Sequence, residues 1–253
     1  VSQAIYPNLI LLQHDVETRG VNVDTIQSTH TEPTVVQPAV PAYLPAADPD
    51  SSEVRVVLRA LWLKDQSTYE HCLRVSEYVG AVAAALELPK AIRTRMRGAA
   101  FLHDIGKLCV SQPVLDADRA LNLLERTKVR SHAVLGYELL WVVPGLEGYA
   151  HAVRSHHERW DGTGYPDHLS GTHIPMTARL IAVADSFDVM TCGRTYAPSK
   201  SNLEIVKDLV RGAWRQFDPG AVRAFLQTWV EGRLPGVQSL DGEALALAQY
   251  ALV

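Results

Sequence analysis

From Glu53 onward, apolar residues recur at spacings of three and four: Val54, Val57, Leu58 and Leu61, then Leu73, Val75, Val79, Val82 and Leu86. That spacing stacks them on one face of a 3.6-residue helix and predicts amphipathic helices. Pro89 restarts the chain. The next stretch, Ala91 to Leu108, turns Ile92, Met96, Ala99, Ala100 and Leu102 to one face and carries His103-Asp104 near its end. Further helices are predicted over 119–130, 131–141, 146–157, 175–192, 202–215 and 219–230, punctuated by Pro144-Gly145, by Gly162 to Pro166 and by Asp218-Pro219-Gly220. No period-two alternation of comparable length is present, so residues 53–231 are expected to be all-α, followed by a 232–253 tail with one short helix.

The N-terminal part reads differently. Leu9 to Gln13 and Val16 to Asp24 are β-like runs, too short for a core of their own, so a short extended arm is expected. Residues 30–52 carry five of the fourteen prolines, and proline fixes φ and removes a backbone donor, which predicts an extended, proline-rich linker over the end of segment 1–52.

Charge and cysteine usage narrow the function classes. Of the net charge of −4, residues 1–54 hold seven acids and one base, leaving twenty-one acids and twenty-three bases for the rest. So weak a basic excess suits an anionic small molecule and not a nucleic-acid polymer. No apolar run approaches the roughly 18–20 residues of a membrane span, and no secretory signal opens the sequence, so no membrane partner is expected. Cys72, Cys109 and Cys192 are odd in number and in no CxxC spacing, which argues against a disulfide framework or thiolate zinc site and suits a reducing, cytoplasmic setting.

Five of the ten histidines stand where helices can bring them together with two aspartates: His71, His103, Asp104, His132, His156, His157 and Asp185. Imidazole and carboxylate are donors for first-row divalent metals, and this many can hold two ions. Consecutive helical residues project about 100° apart, so the His-Asp and His-His pairs can each reach two faces of a metal cluster. Single pieces are weaker: His14-Asp15 repeats the dipeptide without companions, and Cys72 reads as a small buried hydrophobe. The run HHERWDGTGYP (156–166) adds Gly162 and Gly164, which permit close backbone approach to a ligand, Tyr165, which can stack on or hydrogen-bond a substrate, and Pro166, which fixes the exit.

With that run, the sequence resembles the HD-GYP phosphohydrolases, a branch of the HD superfamily named for the motifs present here as His103-Asp104 and Gly164-Tyr165-Pro166. The resemblance covers roughly 54–230 and includes Asp65, Thr68, Arg74-Val75, AAFLHDIGKL (99–108), His132 with Gly136, IPMTARLIAVADSFDVMT (174–191), Arg194 with Tyr196, and Phe217-Asp218-Pro219. It implies an HD-superfamily helical bundle over 53–231, with the seven residues as ligands of two divalent ions, iron or manganese, and Asp104 bridging them. A bridging carboxylate holds two metals roughly 3.5–4 Å apart, so that a shared hydroxide can attack phosphorus in line. Asp104 and Lys107 would then be catalytic, Lys107 lying beside the scissile phosphate, while Gly162, Gly164, Tyr165, Pro166, Arg194 and Tyr196 would face substrate. The implied reaction is hydrolysis of cyclic di-GMP to pGpG and sometimes on to GMP.

Three departures qualify the match. Ser67 stands where some members place a glutamate for a third metal, which predicts two ions and puts the step to GMP in doubt. Ala197 replaces the usual lysine after the Arg-x-Tyr block, and the segment between His132 and His156 is about two residues short. Rival readings are a hydrolase of another nucleotide such as 3′,3′-cyclic GMP-AMP, and a non-catalytic module binding a cyclic dinucleotide or a diguanylate cyclase (GGDEF) partner. The arm and linker are candidates for docking on the catalytic domain or for forming a homodimer.

Overall fold

In the computed structural model, residues 51–192 and 199–252 are described. The arm, its β-like runs and the linker to residue 50 lie outside the described residues, as do Arg194 and Tyr196.

Local capping sets where the helices begin. Ser51 accepts from the Val54 N–H and starts α1 (Ser52–Lys64). Asp65 ends α1 through its own N–H to Leu61, and its carboxylate then takes the Thr68 N–H (3.0 Å) and hydroxyl (2.6 Å), opening α2 (Gln66–Ala85). The Asp65–Thr68 signature is therefore a helix cap, and it fixes the start of the helix that carries His71 one turn later. Ser67, in that same turn, gives its hydroxyl to Asp65 (3.0 Å).

Pro89 precedes α3 (Lys90–Leu102), which stops short of the predicted end at Leu108. His103 and Asp104 form a turn leading into a 3-10 segment, Ile105–Cys109. The cause is a tertiary contact: a Cβ at Gly106 would lie 1.9 Å from the His132 carbonyl oxygen and 2.5 Å from the Gly136 nitrogen. Only glycine lets this turn press against the next helices. Lys64 ties the same segment to α1 by donating to the Leu108 and Val110 carbonyls, both at 2.6 Å.

A short α4 (Gln112–Leu115) precedes the predicted 119–130 helix, which begins only as α5 (Leu123–Arg130), because Asn122 and Glu125 form a capping box that starts it late. There follow α6 (His132–Val142), α7 (Glu147–Ser155), a 3-10 turn at Gly171–His173, α8 (Met176–Cys192), α9 (Asn202–Gly212), α10 (Pro219–Val230) and α11 (Gly242–Tyr250). α9 ends at Gly212 and not at 215, where the Phe217 ring folds back into the space of a Cβ (2.6 Å). No strand is present among the described residues, as expected for an all-α bundle.

α2 packs against α3, α8 and α10, and α7 against α3, α6 and α8. Tyr78, Phe187, Phe225 and Trp229 fill the centre, with Phe187 ring centroids 4.9 Å from Phe225 and 5.0 Å from Trp229. This core holds α2 and α8 side by side, which brings His71 to Asp185. No described helix is long and apolar enough to cross a membrane.

Gly106→Ala follows as a stability test. With backbone on both sides of the added methyl, a loss of about 3 kcal/mol is expected, a fall of about 10 °C in thermal midpoint for a domain of this size. An unchanged melting curve would contradict the close approach.

Candidate active site

Each candidate ligand sits at a place its local structure defines. His71 is on α2 and Asp185 on α8; His103 and His156 are the C-terminal caps of α3 and α7; Asp104 and His157 follow them; His132 opens α6. The two adjacent pairs thus stand at helix ends, not within helices as the periodicity suggested. His103, Asp104, His132 and His156 are almost wholly buried.

At three of these histidines the ring orientation is set by a carbonyl. Nδ1 of His103 lies 2.8 Å from Ala100 O, that of His132 2.6 Å from Val129 O, and that of His156 2.6 Å from Val153 O. A carbonyl can only accept, so each Nδ1 carries the proton and each Nε2 presents a lone pair. Yet Nε2 of His132 lies 3.2 Å from Nε2 of both His156 and His157. Lone pairs facing each other at this distance require a shared electrophile. A proton is disfavoured: burial holds His103, His132 and His156 below the ordinary imidazole range and takes His157 down to about 3, with neighbouring rings contributing at His156 and His157. A metal cation suits the arrangement, as does the carbonyl support behind each ring.

The donors fall into two groups. His132, His156 and His157 form one, and His71, His103 and Asp185 the other. Asp104 stands between them, with Oδ1 3.3 Å from His132 Nε2, and Oδ2 3.5 Å from His103 Nε2 and 3.9 Å from His71 Nε2. Burial alone would raise the Asp104 pKa, but Lys107 and the surrounding imidazoles hold it well below the usual carboxylate range. Cys72 also lies close to His103 and Asp104. Burial, with the Asp104 charge beside it, pushes its thiol up, in keeping with a small buried hydrophobe.

His71 is supported by a residue the sequence reading did not single out. Its Nδ1 lies 2.8 Å from Asp188 Oδ2, while Nε2 faces Asp185 Oδ1 at 3.2 Å. Arg74 grips Asp188 with two bonds of 2.7 and 2.9 Å. Burial would lower the His71 pKa, but the two carboxylates raise it to about 9. Asp188 stands three residues after Asp185 on α8, the same helix face, and that spacing was the available signal. Asp188→Asn should weaken metal affinity about 10- to 100-fold with the fold intact, because the amide no longer polarises the imidazole. Competition with a chelator would measure it, and an unaltered affinity would refute the role.

The signature loop closes one side of the site. Gly162 adopts φ +76°, a left-handed conformation suited to glycine. A Cβ on Gly164 would lie 2.4 Å from Arg159 N and 2.6 Å from Glu158 Cα, so the close approach here is to the chain's own backbone. Glu158, also absent from the candidate set, is buried and accepts the Asp167 N–H at 2.6 Å, folding the loop exit beyond Pro166 back. Tyr165 stacks on His157 with centroids 4.8 Å apart. Trp160 meets the exposed Trp214 edge-on at the rim, and His151, His168 and His173 are exposed. A cleft of about 460 Å³ opens over His156, His157, Asp185 and Tyr165. Lys107 does not line it; the ammonium is drawn onto Asp104 Oδ2 at 2.6 Å. Arg194 and Tyr196, assigned to substrate by resemblance, lie outside the described residues.

Residues 55–220 match the family model described as HD domain. The chain belongs to the HD-domain family. Its Gly164-Tyr165-Pro166 motif and its relatives make it an HD domain of the HD-GYP type. It is 36% identical over 64% of its length to a probable cyclic di-GMP phosphodiesterase of Vibrio cholerae, covering 41% of that protein. It is 33% identical over 65% of its length to a cyclic di-GMP phosphodiesterase of Thermotoga maritima, covering 45%. A 3′3′-cGAMP-specific phosphodiesterase of Vibrio cholerae is 29% identical over 68% of the chain, which covers 33% of that relative. The chain spans less than half the length of these relatives. HD-domain phosphohydrolases depend on metal, and the His/Asp clusters of this HD domain are of a kind that can bind it.

Proposed function

We propose that this HD domain hydrolyses cyclic di-GMP to linear pGpG with two divalent ions, iron or manganese, with 3′,3′-cyclic GMP-AMP as the alternative substrate. The observation that carries the reading is Asp104, whose two oxygens face separate donor groups. His71, His103 and Asp185 would hold one ion, His132, His156 and His157 the other, and Asp104 both. When bound, the ions would supply Lewis-acid chemistry for cleaving a phosphodiester with water.

The chain's own residues provide the rest. Four imidazoles are kept neutral by burial at physiological pH, so they offer lone pairs without first losing a proton. Burial would lower the Lys107 pKa, but Asp104 raises it further, so the residue stays an ammonium beside the carboxylate where negative charge must be met. Tyr165 lines the cleft beside His157, where its ring edge or hydroxyl can meet substrate, and the loop bearing it is pinned by Trp160 N–H to Gln216 O (3.2 Å) and Asp161 N–H to Arg215 O (2.8 Å). The hydroxyl of Ser67 is engaged by Asp65, so no third anionic ligand stands there and the reaction is expected to stop at pGpG.

The names of the relatives support this substrate class, divided between cyclic di-GMP and 3′3′-cGAMP. The test is a chromatographic time course on both dinucleotides. Consumption of cyclic di-GMP with accumulating pGpG is expected. At least tenfold faster cleavage of cyclic GMP-AMP would reassign the substrate, and inertness toward both would overturn the reading.

A further inference from the structure

A cyclic dinucleotide carries two phosphates, and only one can be at the reacting centre. If the proposed reading of the site holds, the second phosphate needs a cation elsewhere in the cleft. Among the described residues two arginines line it, Arg130 and Arg159. Arg159 is occupied within the signature loop, pairing with Asp161 (3.0 Å) and donating to Thr163 Oγ1 (2.9 Å). Lys107 is held on Asp104. Arg130 has no carboxylate within ion-pair distance among the described residues, and its guanidinium lies over the Tyr165 ring, 5.1 Å from the centroid.

Its position is fixed by the same junction that orients a candidate ligand. Arg130 is the last residue of α5, Ser131 intervenes, and His132 opens α6 with Nδ1 bonded to Val129 O. The backbone on either side of Arg130 is thereby tied to the metal-site geometry, while the side chain extends along the cleft wall. α5 buries none of its residues, so the helix is not held by a core of its own. With no hydrogen-bond or ion-pair partner among the described residues and a Tyr165 ring 5.1 Å away, the guanidinium can present its fork to an anion.

We infer that Arg130 is a substrate-binding residue that takes the second, non-reacting phosphate of a cyclic dinucleotide. It accounts for a cation in the cleft that serves no ion pair among the described residues, and it makes Arg130 a determinant of preference for dinucleotides over small phosphodiesters. Arginine suits this better than lysine, because two parallel N–H donors match two phosphate oxygens.

The experiment compares wild type, Arg130→Ala and Arg130→Lys on cyclic di-GMP, on cyclic GMP-AMP and on bis(p-nitrophenyl) phosphate, which has a single phosphate. In Arg130→Ala, kcat/KM for the dinucleotide is expected to fall at least tenfold more than for the small diester, mainly through KM. Arg130→Lys should recover part of that loss. Equal losses on both kinds of substrate would overturn the assignment and make Arg130 a support for Tyr165. Wild type that cleaves the small diester but neither dinucleotide would overturn the proposed function itself, and the inference with it, so the two failures are distinguishable.

Discussion

Asp104→Ala is expected to lose metal and turnover together. The carboxylate is buried between the two donor groups, 3.3 Å from His132 Nε2 on one side and 3.5 Å from His103 Nε2 on the other. Truncation should leave His132, His156 and His157 on one side and His71, His103 and Asp185 on the other, without the Asp104 carboxylate to join them. Metal content should fall below one ion per chain and turnover by about 10³-fold or more, a barrier increase of roughly 4 kcal/mol. Asp104→Asn separates charge from volume: it fills the space and should lose activity as severely, since a neutral amide is a poor bridging ligand. Elemental analysis with far-UV circular dichroism checks both variants. Full metal loading with retained turnover would exclude a bridging role.

Lys107→Ala should divide the two properties that Asp104→Ala loses together. The ammonium lies 2.6 Å from Asp104 Oδ2 and, being protonated, has no lone pair to offer a metal. Bound cations would replace its charge at Asp104, so two ions should remain. On the proposed reading, what the variant lacks is a positive group next to the reacting phosphate. Loss of one preorganised donor of this kind costs about 10²–10³-fold in kcat, and KM should move far less. Measuring kcat, KM and metal content on one preparation decides it: loss of the metals would make Lys107 a counter-ion for folding, and an unchanged kcat would remove it from the chemistry.

Helix periodicity carried most of the bundle, because burial of one face is a local pattern. α10 begins and ends where the spacing and Asp218-Pro219 place it. The helix ends at the site were less legible. The predicted helix from 91 to 108 runs through Gly106, and only the approach of His132 and Gly136 shows why α3 must stop at Leu102. That contact is long-range, so no window of sequence contains it.

The site divides the same way. The seven donors stood out because histidines and aspartates gathered on packed helices are costly to bury unless a cation joins them, and the geometry brings all seven together. Their supports did not stand out. Asp188 is an ordinary helical carboxylate until His71 and Arg74 are seen against it. Glu158 was hidden inside a motif whose glycines and tyrosine drew the interpretation, and its bond to Asp167 N–H depends on how the loop folds back. Arg130 was not among the sequence candidates, because its place in the cleft follows from the α5–α6 junction.

On the proposed reading, a two-ion centre built on Asp104 cleaves a cyclic dinucleotide. Its most direct test is anaerobic purification, counting of iron, manganese and zinc per chain, and reaction of that same preparation with cyclic di-GMP before and after chelation. Two ions per chain are expected, with pGpG formation that disappears on chelation and returns on adding iron or manganese. Undiminished cleavage by metal-stripped protein, or a fully loaded protein that leaves the dinucleotide intact, would contradict it.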